Sequence, residues 1–309
     1  MSLFTNHGVA KLMAKGPIVC AAVAGNPISH SLTPFLFNKV AQFLQRSGHN
    51  ITFRACEKIS HNSLIDALAW GHAKMSAIAK EDEGADLGKR EIWLSITSPL
   101  KHQLPPDSGA EWTIGEPMLA SVNQMRHDGH EWKVANTDGA GLLMVASEFG
   151  FDFNLTDDLE LPLLCMIGGG STARACAAAW TEAGGKIWWK EGRRNLSSRG
   201  PWKDSMVNAK DVCDHYGRRL HIDFDQPAGS IPEIKGERID AGIDAPIFLS
   251  ASYSDGDFES VIENEWGLFL DGRWLLVAQH LQGWAHLYNP SAAEDLPTLS
   301  ELMNILISA

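Results

Sequence analysis

The strongest constraint on how this chain can fold lies at residues 163–189. A short apolar run, Leu163-Leu164-Cys165-Met166-Ile167, breaks into Gly168-Gly169-Gly170 and continues as Ser171-Thr172-Ala173-Arg174-Ala175-Cys176. The run is too short for a helix of its own and reads as a buried strand. Glycines permit a tight turn with no Cβ in the way, so backbone N–H groups and a helix N-terminus can face an anion at close range. The spacing is a near relative of G-x-G-x-x-G/A, with Gly168, Gly170 and Ala173 in the three roles, which is the physics of a dinucleotide pyrophosphate site. A glycine-rich turn that binds nothing is the plain alternative. The continuation favours the site: a helix over Thr172–Ala183 stops at Gly184-Gly185, and a second apolar run, Lys186-Ile187-Trp188-Trp189, follows. That is a strand–turn–helix–strand unit of the length a βαβ crossover needs.

The end of that second run carries a split signal. An acid about twenty residues past the first glycine accepts ribose hydroxyls and favours NAD, whereas arginines there favour the 2′-phosphate of NADP. Glu191 stands 23 positions beyond Gly168, and Arg193 and Arg194 follow it. The residues alone leave the cofactor open. The expected contacts are Gly168, Gly169, Gly170, Ser171, Thr172, Ala173, Glu191, Arg193 and Arg194.

At 309 residues the chain exceeds the size at which one core keeps growing, so two domains are expected. Its net charge of −12 argues against nucleic acid or an anionic membrane as partner, and any anionic ligand must be held by locally placed donors. Five scattered cysteines without C-x-x-C spacing read as reduced thiols of a cytoplasmic protein. No run approaches membrane-spanning length, and Ile18–Ala24 is a strand and not a signal sequence.

In chain order, residues 1–16 read as a tail or short helix, and Ile18–Ala24 as a buried strand ended by Gly25-Asn26-Pro27. Thr33 reads as the N-cap of a helix with Pro34 at its first position, and Ser29, His30 and Ser31 form a hydroxyl-rich stretch just ahead of it. Strands are expected at Ile51–Cys56 and Glu91–Thr97, with a helix at Ser63–Ala79 and a surface loop at Lys80–Arg90. Lys101 follows the second of these strands across Ser98-Pro99. Asp128-Gly129 between alternating runs signals a hairpin, and His127 and His130 beside it read as turn histidines. The hairpin delivers Asn136-Thr137-Asp138-Gly139, where the aspartate could cap a helix over Leu142–Phe149. Beyond the glycine turn, Trp202–Tyr216 and Glu259–Glu265 read as helices, Leu220–Phe224, Pro246–Ser252 and Gly267–Leu270 as strands, and Gln226–Pro232 as a loop. A helix runs on from Trp274, and Thr298 with Glu301 forms a capping box for the last one, Thr298–Ile307.

Several of these blocks, in this order, resemble the shikimate dehydrogenase family: Gly25-Asn26-Pro27-Ile28-Ser29-His30-Ser31-Leu32-Thr33-Pro34, Ser95-Ile96-Thr97-Ser98-Pro99-Leu100-Lys101, Ser121-Val122-Asn123, Asn136-Thr137-Asp138-Gly139-Ala140-Gly141, the glycine turn, and Asp271-Gly272 before Leu275-Leu276-Val277-Ala278-Gln279. The resemblance implies a two-domain α/β fold. An N-terminal α/β substrate domain completed by C-terminal helices (residues 1–137 and 272–309) would flank a Rossmann-type domain (138–271). It implies a catalytic lysine and aspartate at Lys101 and Asp138, substrate-carboxylate serines at Ser29 and Ser31, and hydroxyl-binding positions at Ser95, Thr97, Asn123 and Gln279. The implied activity is NAD(P)-dependent reduction of 3-dehydroshikimate to shikimate, or of a close analogue such as quinate, within aromatic amino acid and chorismate biosynthesis. NADP is the favoured cofactor, with NAD as the other. The implied partner is a small polyhydroxy carboxylic acid, and the chain is expected as a monomer or homodimer with no metal. The chain departs from the family on the cofactor side: Glu191-Gly192-Arg193-Arg194 replaces an Asn-Arg-Thr run, and Asp223–Gly229 occupies the region of an expected Asn-Ala-Thr stretch. A catalytically weak or silent sensor of a shikimate-like acid is therefore the competing expectation.

Overall fold

Two six-stranded sheets and the helices around them make up the part of the chain described in a computed structural model, residues 16–81, 90–105, 107–227, 245–254 and 259–309. The chain begins with β1 (Ile18–Gly25), α1 (Thr33–Arg46), β2 (Thr52–Ser60), α2 (Leu64–Glu81) and β3 (Arg90–Ile96). It continues with β4 (Glu111–Ile114), the hairpin β5 (Gln124–His127) and β6 (Trp132–Ala135), and α3 (Asp138–Glu148). The second sheet is built by β7 (Leu163–Ile167), α4 (Ser171–Glu182), β8 (Lys186–Lys190), β9 (Arg219–Asp223), β10 (Ile247–Ser250), β11 (Val261–Asn264) and β12 (Gly267–Leu270). Two helices, α5 (Arg273–Gly283) and α6 (Leu299–Ile307), close the chain.

The first sheet has the order β2-β1-β3-β5-β6-β4, with β1 parallel to β2 and β3 and the β5–β6 hairpin antiparallel to β3. Its central strands are covered on both faces, so they read as continuous apolar runs. Alternation along β1 shows this directly: Val19 and Ala21 enter one core with α1, and Ala22 and Ala24 a smaller one under α2 with Leu64 and Ala67.

In the second sheet the order is β11-β12-β10-β9-β7-β8, all parallel except the β11–β12 hairpin. A single parallel bridge between Ile187 and Met206 continues it beyond β8. The bridge stands where a doubly wound sheet of order 3-2-1-4-5-6 has its third strand, here reduced to one residue. The strand order therefore reverses at β7, whose C-terminal end carries the glycine turn.

Three local expectations are corrected. Trp202–Tyr216 is no helix: it forms short 3-10 turns at Lys203–Ser205 and Val212–Asp214 around the Met206 bridge, because Trp202 is buried and its indole N–H is taken by Ser197 O at 2.7 Å. Residues 261–264, read as helical, form the edge strand β11, paired antiparallel to β12 across a turn that needs Gly267 at φ +141°. Thr33 is not an N-cap but the first residue of α1, and its backbone N–H donates to Ser31 Oγ at 3.3 Å. The hairpin at Asp128-Gly129 and the Thr298–Glu301 capping box form as expected. β4 was not anticipated; its four residues are too few to show a period. Residues 1–15, 82–89 and 228–232, for which a tail and loops were expected, lie outside the described residues.

Candidate active site

The first sheet brings the expected pair to one edge. β3 and β6 run in the same direction with β5 antiparallel between them, so the residues after β3, after β6 and just before β5 meet. Lys101 lies in a 3-10 turn, Leu100–His102, beyond β3; Asp138 opens α3 beyond β6; Asn123 immediately precedes β5. Lys101 Nζ donates to Asp138 Oδ2 at 2.6 Å and Asn123 Nδ2 to Asp138 Oδ1 at 2.8 Å. The carboxylate is fully buried and both its oxygens are directed, while the lysine keeps 16% of its side chain exposed. Asn123 is itself held, its Oδ1 accepting the Thr137 N–H at 2.8 Å. Asp138 does not cap its helix; its side chain turns back to the lysine.

A cavity of about 240 Å³ opens in front of the pair. Its lining includes Ser31, Thr33, Ser95, Thr97, Lys101, Asn123 and Gln279. Among the described residues no Asp or Glu lines it, and Lys101 is the one Lys or Arg that does. The volume suits a small molecule and not a dinucleotide. The polar part of the wall, hydroxyls and amides with one cation, fits an anionic polyol, and Ile28, Leu275 and Leu276 belong to its apolar part. Ser29, expected beside Ser31 as a carboxylate ligand, is exposed and outside this lining, its carbonyl receiving Lys58 Nζ. Thr33, by contrast, lines the cavity. The signal for it was a hydroxyl two positions beyond Ser31, hidden by reading Thr33 as a cap.

Among the lining residues that sequence reasoning missed are Tyr253 and His280. Tyr253 comes from the turn after β10, and its hydroxyl accepts the Leu32 N–H at 3.2 Å. That turn reaches the cavity. His280, next to Gln279 on α5, shares a hydrogen bond with Thr33 Oγ1 at 3.0 Å, and burial pushes its pKa down to about 3, so its imidazole is neutral. Nothing in the sequence marked His280 beyond its place after Gln279.

The glycine turn leaves room for a dinucleotide's phosphates at Gly170, while the Asp225 carboxylate stands 3.2 Å from where a Cβ at Gly168 would lie. Gly168 has φ +95°, where a side chain would be strained. A Cβ at Gly169 would lie 2.3 Å from the Asn195 backbone, whereas one at Gly170 would meet nothing within 4 Å. No side chain caps α4 at Gly170. The first turn of α4 thus offers donors to open space, and Ala173 is buried behind it. Ser171 and Thr172, however, turn toward the first sheet: Ser171 Oγ bonds Ser121 Oγ, and Thr172 Oγ1 accepts from Lys101 Nζ at 3.1 Å. Glu191, Arg193 and Arg194 are exposed beyond β8. Asp225, after β9, accepts the Arg193 backbone N–H and lies 3.4 Å from Arg193 Nε.

Known proteins resemble this chain in both sequence and fold. No family model matches it. It is 26% identical over 205 residues to a shikimate dehydrogenase (NADP(+)) of Methanococcoides burtonii, covering 65% of this chain and 61% of that protein. It is 32% identical over 122 residues to one of Methylibium petroleiphilum, covering 40% of this chain and 37% of that one. The chain thus aligns with less than two thirds of the length of either relative. Its fold is that of a Thermus thermophilus shikimate 5-dehydrogenase solved with NADP(H) and shikimate (TM-score 0.58, 17% identity, 93% of this chain, 97% of that one). It is also that of a Listeria monocytogenes one solved with shikimate and NAD (TM-score 0.61, 12% identity, 99% of each).

Proposed function

We propose that this chain, a relative of the shikimate dehydrogenases, is an NAD(P)-dependent oxidoreductase that interconverts 3-dehydroshikimate and shikimate, or a close analogue such as quinate. The observation that carries the reading is the Lys101–Asp138 pair, buried on the carboxylate side and open on the lysine side. It faces a cavity that carries hydroxyls and, among the described residues, no carboxylate, beside an uncapped helix N-terminus. Bound nicotinamide supplies the hydride acceptor or donor. The chain's own residues do the rest. Ser31, Thr33, Ser95, Thr97, Asn123 and Gln279 hold the acid's carboxylate and hydroxyls. As an ammonium, Lys101 gives its cavity-facing proton to the carbonyl oxygen as hydride arrives at the same carbon; in the reverse direction the neutral amine so formed takes the hydroxyl proton as hydride leaves. Asp138, fixed by Asn123, orients the lysine and balances its charge. NADP is the expected cofactor: the curated relatives carry it in their names, and Arg193 and Arg194 supply two cations against the single carboxylate of Glu191. Residues 1–137 with 272–309 would form the substrate-binding half and 138–271 the nucleotide-binding half.

One observation favours the silent sensor as a second reading. Asp225 takes up a donor and a guanidinium at the end of β8, where a nucleotide's ribose and 2′-phosphate would bind. Purified protein should change the ultraviolet absorbance of the nicotinamide with shikimate or quinate as substrate. No change with either dinucleotide and either acid, together with calorimetric binding of shikimate but of neither dinucleotide, would establish the sensor instead.

A further inference from the structure

We infer that Thr172 is a positioning residue for Lys101: its hydroxyl, carried on the first turn of α4, aims the lysine at the cavity and ties the proton-handling pair to the helix that would receive the dinucleotide's phosphates. The inference rests on the reading under Proposed function and deepens it.

A lysine ammonium is a compact charge on a flexible stem with three rotatable donors. One carboxylate fixes its distance but leaves its rotation free. Lys101 has two fixed partners on different elements, Asp138 Oδ2 at 2.6 Å from α3 and Thr172 Oγ1 at 3.1 Å from α4. Two N–H bonds so directed leave the third for the cavity that Thr172 and Lys101 both line. Thr172 is thereby placed on the acid–base side of the cleft, although its position in the glycine turn marks it as a phosphate contact.

The contact belongs to a closed circuit of hydrogen bonds. From Thr172 it runs through Lys101 to Asp138, whose backbone N–H donates to Asn136 Oδ1 at 3.0 Å. Asn136 Nδ2 donates to Ser121 Oγ at 3.2 Å, and Ser121 Oγ bonds Ser171 Oγ, next to Thr172. Farther along α4, Arg174 meets His102 Nε2 at 3.3 Å, beside Lys101. Two side chains of one helical turn, Thr172 and Arg174, therefore grip the segment that carries the lysine, and Ser171 holds the neighbouring Ser121. Phosphates that fix this turn also fix the direction of the third lysine donor, so a filled dinucleotide site favours binding and reaction of the acid.

The test compares Thr172→Val, which keeps the shape and loses the hydroxyl, with Thr172→Ser, which keeps the hydroxyl. In Thr172→Val, kcat should fall about tenfold, as expected for a lost hydrogen bond to a charged group. The KM for the acid should change little, and Thr172→Ser should recover most of the rate. Two readouts do not depend on turnover. Lys101 in the ligand-free protein, acetylated with acetic anhydride and mapped by mass spectrometry, should react several-fold faster in Thr172→Val than in wild type or Thr172→Ser. By calorimetry, the several-fold gain in shikimate affinity that bound dinucleotide gives wild type should shrink toward none in Thr172→Val. An active wild type with equal kcat, labelling and coupling in Thr172→Val would overturn the inference and leave the proposed function standing. An inactive wild type would overturn the proposed function, and the labelling comparison would then decide the lysine–threonine contact by itself.

Discussion

Lys101 and Asp138 act, on the present reading, as one proton-handling unit, and removing either should disable the other. Lys101→Ala and Asp138→Asn should each cost a few kcal/mol of transition-state stabilisation, with the double variant little worse than either single, because residues acting as a unit are strongly non-additive. Additive losses in kcat/KM would mean separate jobs. Each residue was expected at a strand end, but their pairing came only through the family resemblance: read alone, Lys101 is a lysine beyond a strand and Asp138 a helix cap. Ser29 lies outside the cavity lining while Ser31 lies in it, because residues two apart in a loop need not point the same way, and spacing alone does not say which hydroxyl turns inward. His280 was invisible for a related reason, since a lone histidine on an apolar helix face is read as core. It is indeed buried, and its protonation has a consequence for stability. Its folded pKa is depressed from 6.5 to about 3 by desolvation, so the neutral ring's contribution is fully present above pH 6.5 and is lost as pH falls toward 3. The loss approaches several kcal/mol at the bottom of that window. Melting temperatures measured across it should fall more steeply for wild type than for His280→Gln; parallel curves would show that the ring is protonated in the folded state.

The glycine turn separates folding from binding within one element. Gly169→Ala sets a Cβ 2.3 Å from the Asn195 backbone and should destabilise the protein by a few kcal/mol. Gly170 has φ −69° and open space at its Cβ, so Gly170→Ala should leave the melting temperature nearly unchanged while raising the KM for the dinucleotide. If Gly170→Ala binds dinucleotide as well as wild type, no pyrophosphate approaches this backbone. The βαβ unit was legible because glycine spacing and apolar runs are local signals. The reduction of the third strand to the Ile187–Met206 bridge was not, since a single bridging residue carries no pattern, and the β11–β12 hairpin was misread because its short polar-rich strand shows no clear alternation. The end of β8 carries the cofactor choice. Arg193→Ala combined with Arg194→Ala should lower kcat/KM for NADP about tenfold or more, as for loss of a charged contact, and barely alter that for NAD. If Glu191→Ala cripples NAD use and the arginine change does nothing, the preference is for NAD.

Across the whole molecule the sequence predicts two units, and the order of its blocks carries that expectation, but apolar faces do not name the surfaces they meet. The larger apolar core is continuous through both sheets: Val19 and Trp93 of the first, Leu164, Met166 and Ile187 of the second, and Leu142, Val145, Val277 and Ala278 of the helices between belong to one cluster. α3 contributes to this joint, close enough to α4 that a Cβ at Gly139 would lie 2.4 Å from the Ala175 carbonyl. A shared core of this kind couples the stability of the two sheets. Calorimetric unfolding should show a single transition whose calorimetric and van't Hoff enthalpies agree, despite a length at which separate domain transitions are common. The sharper test uses Trp284, fully buried with its ring 5.0 Å from Trp93 and 6.2 Å from Phe37, all on the first-sheet side of the core. Trp284→Leu should remove on the order of 2 kcal/mol. If the core is one cooperative body, native-state amide exchange should register that loss equally in β1 and in β7, although β7 lies in the other sheet. A loss confined to β1, or a second calorimetric transition, would show two independently stable halves joined only at the cleft.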